Sequence, residues 1–274
     1  MYKLLMKIAA VLFVALLVAC GTGSTGEDNA QSGDSAQDDK NSKGKLSVVT
    51  EAGFMPFSYL DKGELAGFDI ELIDAVLQEA GYDYDIKNVG WESMLASVQN
   101  GEADLAIAGI TINEDRKESY DFSSPYFEST HQIVFREGEN ITSGEDIKDL
   151  KVGVQSGTTG AEAAEKILGA NHPNIAKYDA NTLAFMSLQS GDVDAVVTDN
   201  VVASEYVKNN PDANVEMIED PDTFESEFYG IMFPKGSEVT EDVNTALQTL
   251  IENGTYTELY EEWFGTEPNI EVLQ

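Results

Sequence analysis

Val98-Gln-Asn-Gly101-Glu-Ala-Asp104-Leu-Ala-Ile-Ala108 is echoed ninety residues downstream (98 to 188) by Leu188-Gln-Ser-Gly191-Asp-Val-Asp194-Ala-Val-Val-Thr198. Each copy reads as a helix end, a glycine that stops it, and an apolar strand of the kind buried on both faces of a parallel sheet. Upstream, Lys45-Leu-Ser-Val-Val-Thr50 predicts a strand. Phe68–Ala80 predicts a helix with Phe68, Leu72, Ile73, Val76, Leu77 and Ala80 on one stripe and Gly81 as its stop. Lys151-Val-Gly-Val-Gln155 is similar to the opening strand and leads through a turn into a helix over Ala161–Leu168. Strands alternating with helices mean βαβ units around parallel sheets, and two similar copies predict an α/β protein of two lobes.

Further along, Tyr229-Gly-Ile-Met-Phe-Pro-Lys-Gly236 reads as a returning strand and turn. Thr240–Glu252 reads as a helix with a threonine cap, stopped at Asn253-Gly254. A chain that leaves the first lobe near His131–Phe135 and returns near Phe228–Phe233 makes a two-segment hinge, which permits the lobes to close. The expected division is lobe 1 over 45–131 plus 229–268, lobe 2 over 132–228, and a tail over 269–274.

The N-terminus places Lys3 and Lys7 before an unbroken apolar run from Ile8 to Ala19. That is a secretory leader, too short to span a bilayer as a stable helix. Its end, Leu17-Val18-Ala19-Cys20, resembles the lipobox of bacterial lipoproteins, which implies cleavage after residue 19 and a lipid on Cys20. Residues 20–44, made largely of Gly, Ser, Thr, Asp, Asn and Gln, carry too little apolar surface to offset the entropy of ordering and predict a disordered tether. Within it Gly21-Thr-Gly23-Ser-Thr-Gly26 matches the dinucleotide-binding spacing, but no strand precedes it and no helix follows, so the match is rejected.

The chain of 274 residues carries 50 acidic and 16 basic side chains, a formal charge of −34. Without a basic block it does not suit a nucleic-acid backbone. One cysteine and two histidines argue against a Cys/His zinc site and exclude an internal disulfide, so neither a metal nor another cofactor is expected. The acidity itself points to solubility outside the cell.

In open α/β sheets ligands sit beyond the carboxyl ends of the strands. Here those ends are Glu51–Phe57, Ala108–Arg116, Gln155–Gly160 and Thr198–Asp199. Arg116 is one of only two arginines and offers a fork that matches a carboxylate, although a surface ion pair with Glu114, Asp115 or Glu118 is an equal reading from position alone. Thr111 can add a hydroxyl and a main-chain N–H. Gln155-Ser-Gly-Thr158-Thr159-Gly160 precedes a helix whose first N–H groups favour anions; it lacks the Gly-Lys-[Ser/Thr] of a phosphate loop. Asp199 can accept from an ammonium, and Phe54 and Trp91 can cover an apolar or amide side chain. Arginine on one lobe and aspartate on the other complement an α-amino-acid zwitterion.

Gly67-Phe-Asp-Ile-Glu-Leu72, Ala108-Gly-Ile-Thr-Ile-Asn-Glu-Asp-Arg116, Asp121-Phe-Ser123 with Tyr126, Phe233-Pro-Lys-Gly236, Glu252-Asn-Gly-Thr-Tyr256 and Trp263-Phe-Gly265 together resemble the polar amino-acid-binding proteins of ABC importers. The similarity runs over Lys45 to Pro268 and is strongest to the glutamine-binding branch. It implies a type II periplasmic-binding-protein fold, a two-strand hinge, and binding without covalent chemistry. By the same resemblance Arg116 clamps the α-carboxylate with the Thr111 and Thr159 amides. Asp199 takes the ammonium with the Gly109 carbonyl and the Thr111 hydroxyl, Phe54 and Trp91 sandwich the aliphatic part, and Glu51 and Gln155 flank the side chain, with Ala108 and Thr198 at the strand ends. Glu51 stands where that branch has a shorter Asp, and Gln155 where it has a Lys. A carboxylate at 51 without a lysine at 155 suits a cationic side chain, so glutamine is the first expected ligand and arginine or histidine the second.

The expected partners are the amino acid, an ABC permease with its ATPase subunits, and the membrane through the lipid on Cys20; the protein is expected as an extracytoplasmic monomer that binds no nucleic acid. Two alternatives use the same scaffold: a dehydratase-like enzyme with Glu51 as its acid or base, and a sensor subunit for a signalling partner. A fused catalytic domain is not expected after Phe264. His131 and His172 form no catalytic arrangement by sequence and read as a hinge-adjacent and a loop residue.

Overall fold

The computed structural model describes residues 42–273. The leader over 1–19, the lipidation expected at Cys20, and all but the last three residues of the tether lie outside them. Lobe 1 opens with β1 (Lys45–Thr50) and a small antiparallel meander of β2 (Gly53–Phe54), β3 (Ser58–Asp61) and β4 (Glu64–Ala66). It continues through α1 (Phe68–Ala80), β5 (Asp83–Asn88), α2 (Trp91–Gln99), β6 (Leu105–Ala106), α3 (Glu114–Ser119) and β7 (Tyr120–Phe122). The chain crosses by β8 (Phe127–Ser129) into lobe 2. That lobe holds β9 (His131–Arg136), β10 (Val152–Gln155), α4 (Thr159–Leu168), β11 (Ile175–Tyr178), α5 (Asn181–Ser190), β12 (Ala195–Asp199), α6 (Asn200–Asn209) and β13 (Val215–Glu219). It returns by β14 (Glu227–Tyr229) and ends in lobe 1 with β15 (Met232–Pro234), α7 (Val239–Asn253) and α8 (Thr255–Phe264).

The two lobes share one topology, as the internal echo predicts. In lobe 1 the sheet order is β5-β1-β6-β15-β7, with β1 parallel to β5 and β6, and β15 antiparallel to β6. In lobe 2 it is β11-β10-β12-β9-β13, with β10 parallel to β11 and β12, and β9 antiparallel to β12. Each sheet is thus a parallel trio extended by an antiparallel strand from the chain that has just crossed. The echoed strings become β6 and β12, the third strand of each trio.

Their shared aspartates explain why the string recurs. Asp104 Oδ2 accepts the Ser47 N–H at 2.7 Å, and Asp194 Oδ2 accepts the Lys151 N–H at 2.9 Å. In return the Asp104 and Asp194 N–H groups donate to the Ser47 and Lys151 carbonyls at 2.9 and 2.7 Å. Each aspartate therefore satisfies main-chain groups where the third strand enters beside the first, fixing their register.

The α/β, two-lobed class is the one the sequence predicts, and its crossing consists of two strands, β8 and β14, paired antiparallel with Phe127 opposite Tyr229 and Ser129 opposite Glu227. The outgoing crossing lies a few residues before His131–Phe135. That segment is the buried strand β9, hydrogen-bonded on both sides to β12 and β13, and such a strand belongs to a sheet interior. The hinge is anchored to lobe 1 by aromatic packing: Phe127 stacks on Tyr229 with centroids 5.5 Å apart, and Phe57 meets Phe127 edge-on at 4.8 Å. Phe68, Tyr260 and Phe264 complete the cluster.

Helix α1 has the predicted bounds, and Gly81 closes it in the left-handed conformation that favours glycine. Helix α7 differs: it starts at Val239, so Thr240 lies inside it, and the buried Thr240 hydroxyl has no partner among the described residues. Ser237 Oγ meets the first N–H instead, accepting from Val239 at 3.3 Å.

Candidate functional site

The carboxyl ends of the two parallel trios face each other. From lobe 1, Glu51, Phe54, Trp91, Ala108, Gly109, Thr111 and Arg116 line a common space; from lobe 2, Gln155, Thr158, Thr159 and Asp199 do. Thr198 lies outside this lining. It precedes Asp199 on β12, and neighbouring residues of a strand face opposite sides of the sheet. Its buried hydroxyl has no partner among the described residues. Thr158, within the quoted string Gln155–Gly160 but not singled out by the sequence, joins the site because it caps α4: its side chain accepts the Ala161 N–H at 3.3 Å and donates to the Gln155 carbonyl at 2.9 Å.

Arg116 is aimed by its own turn. Asn113 caps α3 by accepting the Arg116 N–H at 2.8 Å, and the guanidinium donates to the Thr111 carbonyl at 2.8 Å. Its other arm reaches the Gly157 carbonyl of lobe 2 at 3.4 Å, and the guanidinium carbon lies 5.3 Å from the Trp91 ring centroid. Trp91 Nε1 donates to the same Gly157 carbonyl at 3.1 Å. Lobe 1 therefore meets lobe 2 through two donors on one carbonyl. Burial works against the charge of Arg116, and Glu162, Glu227 and Asp199 offset that penalty. This is a site cation, not the surface ion pair that position alone left open.

Gly109 has a main-chain conformation (φ +57°) that favours glycine, and a Cβ there would stand 2.4 Å from Phe54 Cε1. The phenyl ring lies against the main chain because nothing projects from it. The Gly109 N–H donates to Asp69 Oδ2 at 2.7 Å. Asp69 is fully buried beside Tyr126, and desolvation pushes its carboxyl up to about 7.

Asp199 ends β12 and is nearly buried. The Tyr229 hydroxyl donates to it, and Ser129 Oγ stands 3.4 Å away. Burial raises the Asp199 carboxyl, while His131 and the Tyr229 hydroxyl act to lower it. Glu51, 5% exposed, also lines the space. Burial pushes it up to about 7 against the lowering influence of the Gly53 N–H and Gln155. Gln155 is itself buried and donates to the Asp179 carbonyl at 3.3 Å.

Glu227, Tyr229, His131 and Asp69 support the site from outside the strand ends. Glu227 accepts from the Thr111 and Thr159 hydroxyls, and His131 Nε2 is 3.3 Å from Thr159 Oγ1. His172 accepts the Asn174 N–H in a loop. Asp69 and Tyr229 sit inside or beside the quoted strings Gly67–Leu72 and Tyr229–Gly236; for Glu227 the sequence carries no signal. Among the described residues there is no cluster of metal-binding side chains, and no helix is long and apolar enough to cross a membrane. The lining thus brings together a guanidinium (Arg116), the start of α4 (Thr158, Thr159), two carboxyl groups (Asp199, Glu51) and two aromatic rings (Phe54, Trp91).

Residues 46–266 match the model of the bacterial extracellular solute-binding proteins, family 3. The chain belongs to this family. It is 36% identical over 258 residues to a probable histidine-binding protein of Neisseria gonorrhoeae, covering 93% of this chain and 96% of that one. Among solved structures it is similar to ArtJ, the arginine-, lysine-, histidine-binding protein of Geobacillus stearothermophilus, at 50% identity and a TM-score of 0.82, covering 84% of this chain and 99% of that one. It is also similar to an ancestral arginine-binding protein bound to glutamine, at 44% identity and a TM-score of 0.77, covering 82% and 99%. As a family 3 protein, this chain is an extracytoplasmic amino-acid-binding component of an ABC transporter.

Proposed function

We propose that this solute-binding protein captures a cationic L-amino acid, arginine first, and delivers it to its permease and ATPase subunits as a lipid-anchored monomer. The observation that carries this reading is Glu51: a buried carboxylate in the lining of the space, with Gln155 beside it and no basic residue in the lining other than Arg116. Arg116 and Asp199 balance the two charges of an amino-acid backbone. Glu51 is then left over, and a buried carboxylate needs a partner to ionise. A guanidinium, ammonium or imidazolium supplies one. The likeness to ArtJ and to the probable histidine-binding protein supports the same choice.

Glutamine is the second reading, favoured by the elevated Glu51 carboxyl: held in its acid form it donates to an amide oxygen, while Gln155 pairs with the rest of the amide. Calorimetric titration of arginine, lysine, histidine, glutamine and glutamate separates the two. Tightest binding of arginine is expected; tightest binding of glutamine or glutamate overturns the cationic reading. The anchor on Cys20 is tested by metabolic labelling with a fatty acid, which Cys20→Ala is expected to abolish.

A further inference from the structure

One carboxylate at the hinge touches both lobes. Glu227 Oε2 accepts the Thr111 hydroxyl of lobe 1 at 3.0 Å and the Thr159 hydroxyl of lobe 2 at 2.8 Å. The two hydroxyl oxygens are 3.3 Å apart, and His131 Nε2 stands 3.8 Å from the same carboxylate oxygen. Glu227 itself lies on β14, paired with Ser129 of β8, so its main chain belongs to the crossing strands. A threonine hydroxyl has a single proton and two lone pairs. Where that proton is donated in a hydrogen bond to Glu227, the remaining capacity of the oxygen is to accept.

We propose that Glu227 is a positioning residue for α-ammonium recognition: by accepting the hydrogen bond of the Thr111 hydroxyl it leaves that oxygen as a fixed acceptor in the cleft. The inference rests on the reading that the cleft takes an α-amino acid, whichever its side chain. Thr111 lines the space together with Gly109 and Asp199. An ammonium group has three protons, and the lining offers it the Asp199 carboxylate, the Thr111 oxygen and the main chain of Gly109, whose own N–H is already donated to Asp69. An α-hydroxyl group in the same place has one proton and leaves two acceptors facing it unpaired. Glu227 thereby sets the preference for an amine at the α-carbon without touching the ligand. Thr159, held by the same oxygen from the other lobe, makes the arrangement complete only when the lobes are together.

The test is calorimetry on the full chain with two probes, L-arginine and its α-hydroxy analogue (2-hydroxy-5-guanidinopentanoate), for the wild type and Glu227→Gln. A glutamine has the same shape, but its amide N–H₂ can donate to a threonine oxygen and release a hydroxyl proton toward the ligand. Loss of one charged hydrogen bond corresponds to about a tenfold fall in arginine affinity, with the analogue changing by less than about threefold, so that discrimination between the probes narrows. An equal loss for both probes means a merely structural role and overturns the proposal, as does an unchanged ratio. If Glu227→Gln melts well below the wild type, Glu227→Asp, which falls short of both hydroxyls, carries the same expectation. A wrong side-chain assignment shows in the wild type as failure to bind arginine; glutamine and its α-hydroxy analogue then replace the pair, because the α-group is common to both.

Discussion

The Tyr229 hydroxyl donates to the Asp199 carboxylate where the hinge meets lobe 2. One partner comes from a crossing strand and the other from the end of a parallel strand, so the acid that faces an ammonium group is oriented by the hinge. Both groups are buried, and removing the donor leaves a carboxylate with one partner fewer in a site that water reaches poorly. Tyr229→Phe is expected to weaken amino-acid binding about tenfold or more, in line with about 1.5–3 kcal/mol for a hydrogen bond to a charged group. Isothermal titration checks this, and an unchanged affinity would remove Tyr229 from the site.

Glu51 makes affinity depend on pH with a sign that identifies the ligand. Its carboxyl, at about 7 in the protein, is mostly protonated at pH 6 and mostly ionised at pH 8. A cationic ligand needs the ionised form, so binding releases a proton and arginine affinity rises by about tenfold between pH 6 and pH 8. Glu51→Gln is expected to abolish both the rise and the preference for a cation. An arginine affinity that is flat across this range contradicts the pairing.

Gly109→Ala combines two penalties, a left-handed main chain and a methyl group driven into the Phe54 ring. Together these correspond to about 2–4 kcal/mol of lost stability, read as a lower urea midpoint, along with loss of binding. Wild-type stability in the variant means that the Phe54 ring has another place to go.

Asp69 should make the protein less stable as pH rises. Its carboxyl sits at about 7 when folded, against 3.8 for an aspartate free in water. Between these values the unfolded chain releases the proton while the folded protein holds it, so stability falls with rising pH and levels off above about 7. Glu51 contributes with the same sign. The carboxylates held low by ion pairs and main-chain donors, such as Asp121 and Asp220, lose their stabilisation only in more acidic solution. Asp69→Asn keeps an acceptor for the Gly109 N–H and is expected to flatten the melting-temperature profile between pH 5 and pH 7; an unchanged slope rules Asp69 out as its source.

What the sequence disclosed follows from how local each signal is. The parallel trios were legible because strand, helix and glycine stop succeed one another within a few residues, and Arg116 and Asp199 stand at strand ends that such a fold turns toward the cleft. Thr198 reads as a site residue by its strand end, because a strand end is easier to locate than the side of the sheet each residue faces. Glu227 and Tyr229 went unread because their partners are remote: Thr111 and Glu227 are 116 residues apart, and nothing in Glu225-Ser-Glu227 distinguishes one acid from the next. Thr240 has the right composition for a cap, yet the turn at Ser237 starts the helix one residue earlier.

The way the chain crosses twice also makes the two sheets unequal in how local they are. All five strands of the second sheet lie between residues 131 and 219, whereas the first sheet needs β15, whose Met232 pairs with Ala106 across 126 residues (232 − 106). Contacts of long sequence separation form late, because the ends of the loop must meet before they gain anything from meeting. A folded second lobe shortens that search by holding the two crossing strands side by side. The cleft thus joins the most local and the most remote parts of the fold: Asp199 belongs to a sheet contained within residues 131–219, and Tyr229, which orients it, belongs to the returning strand.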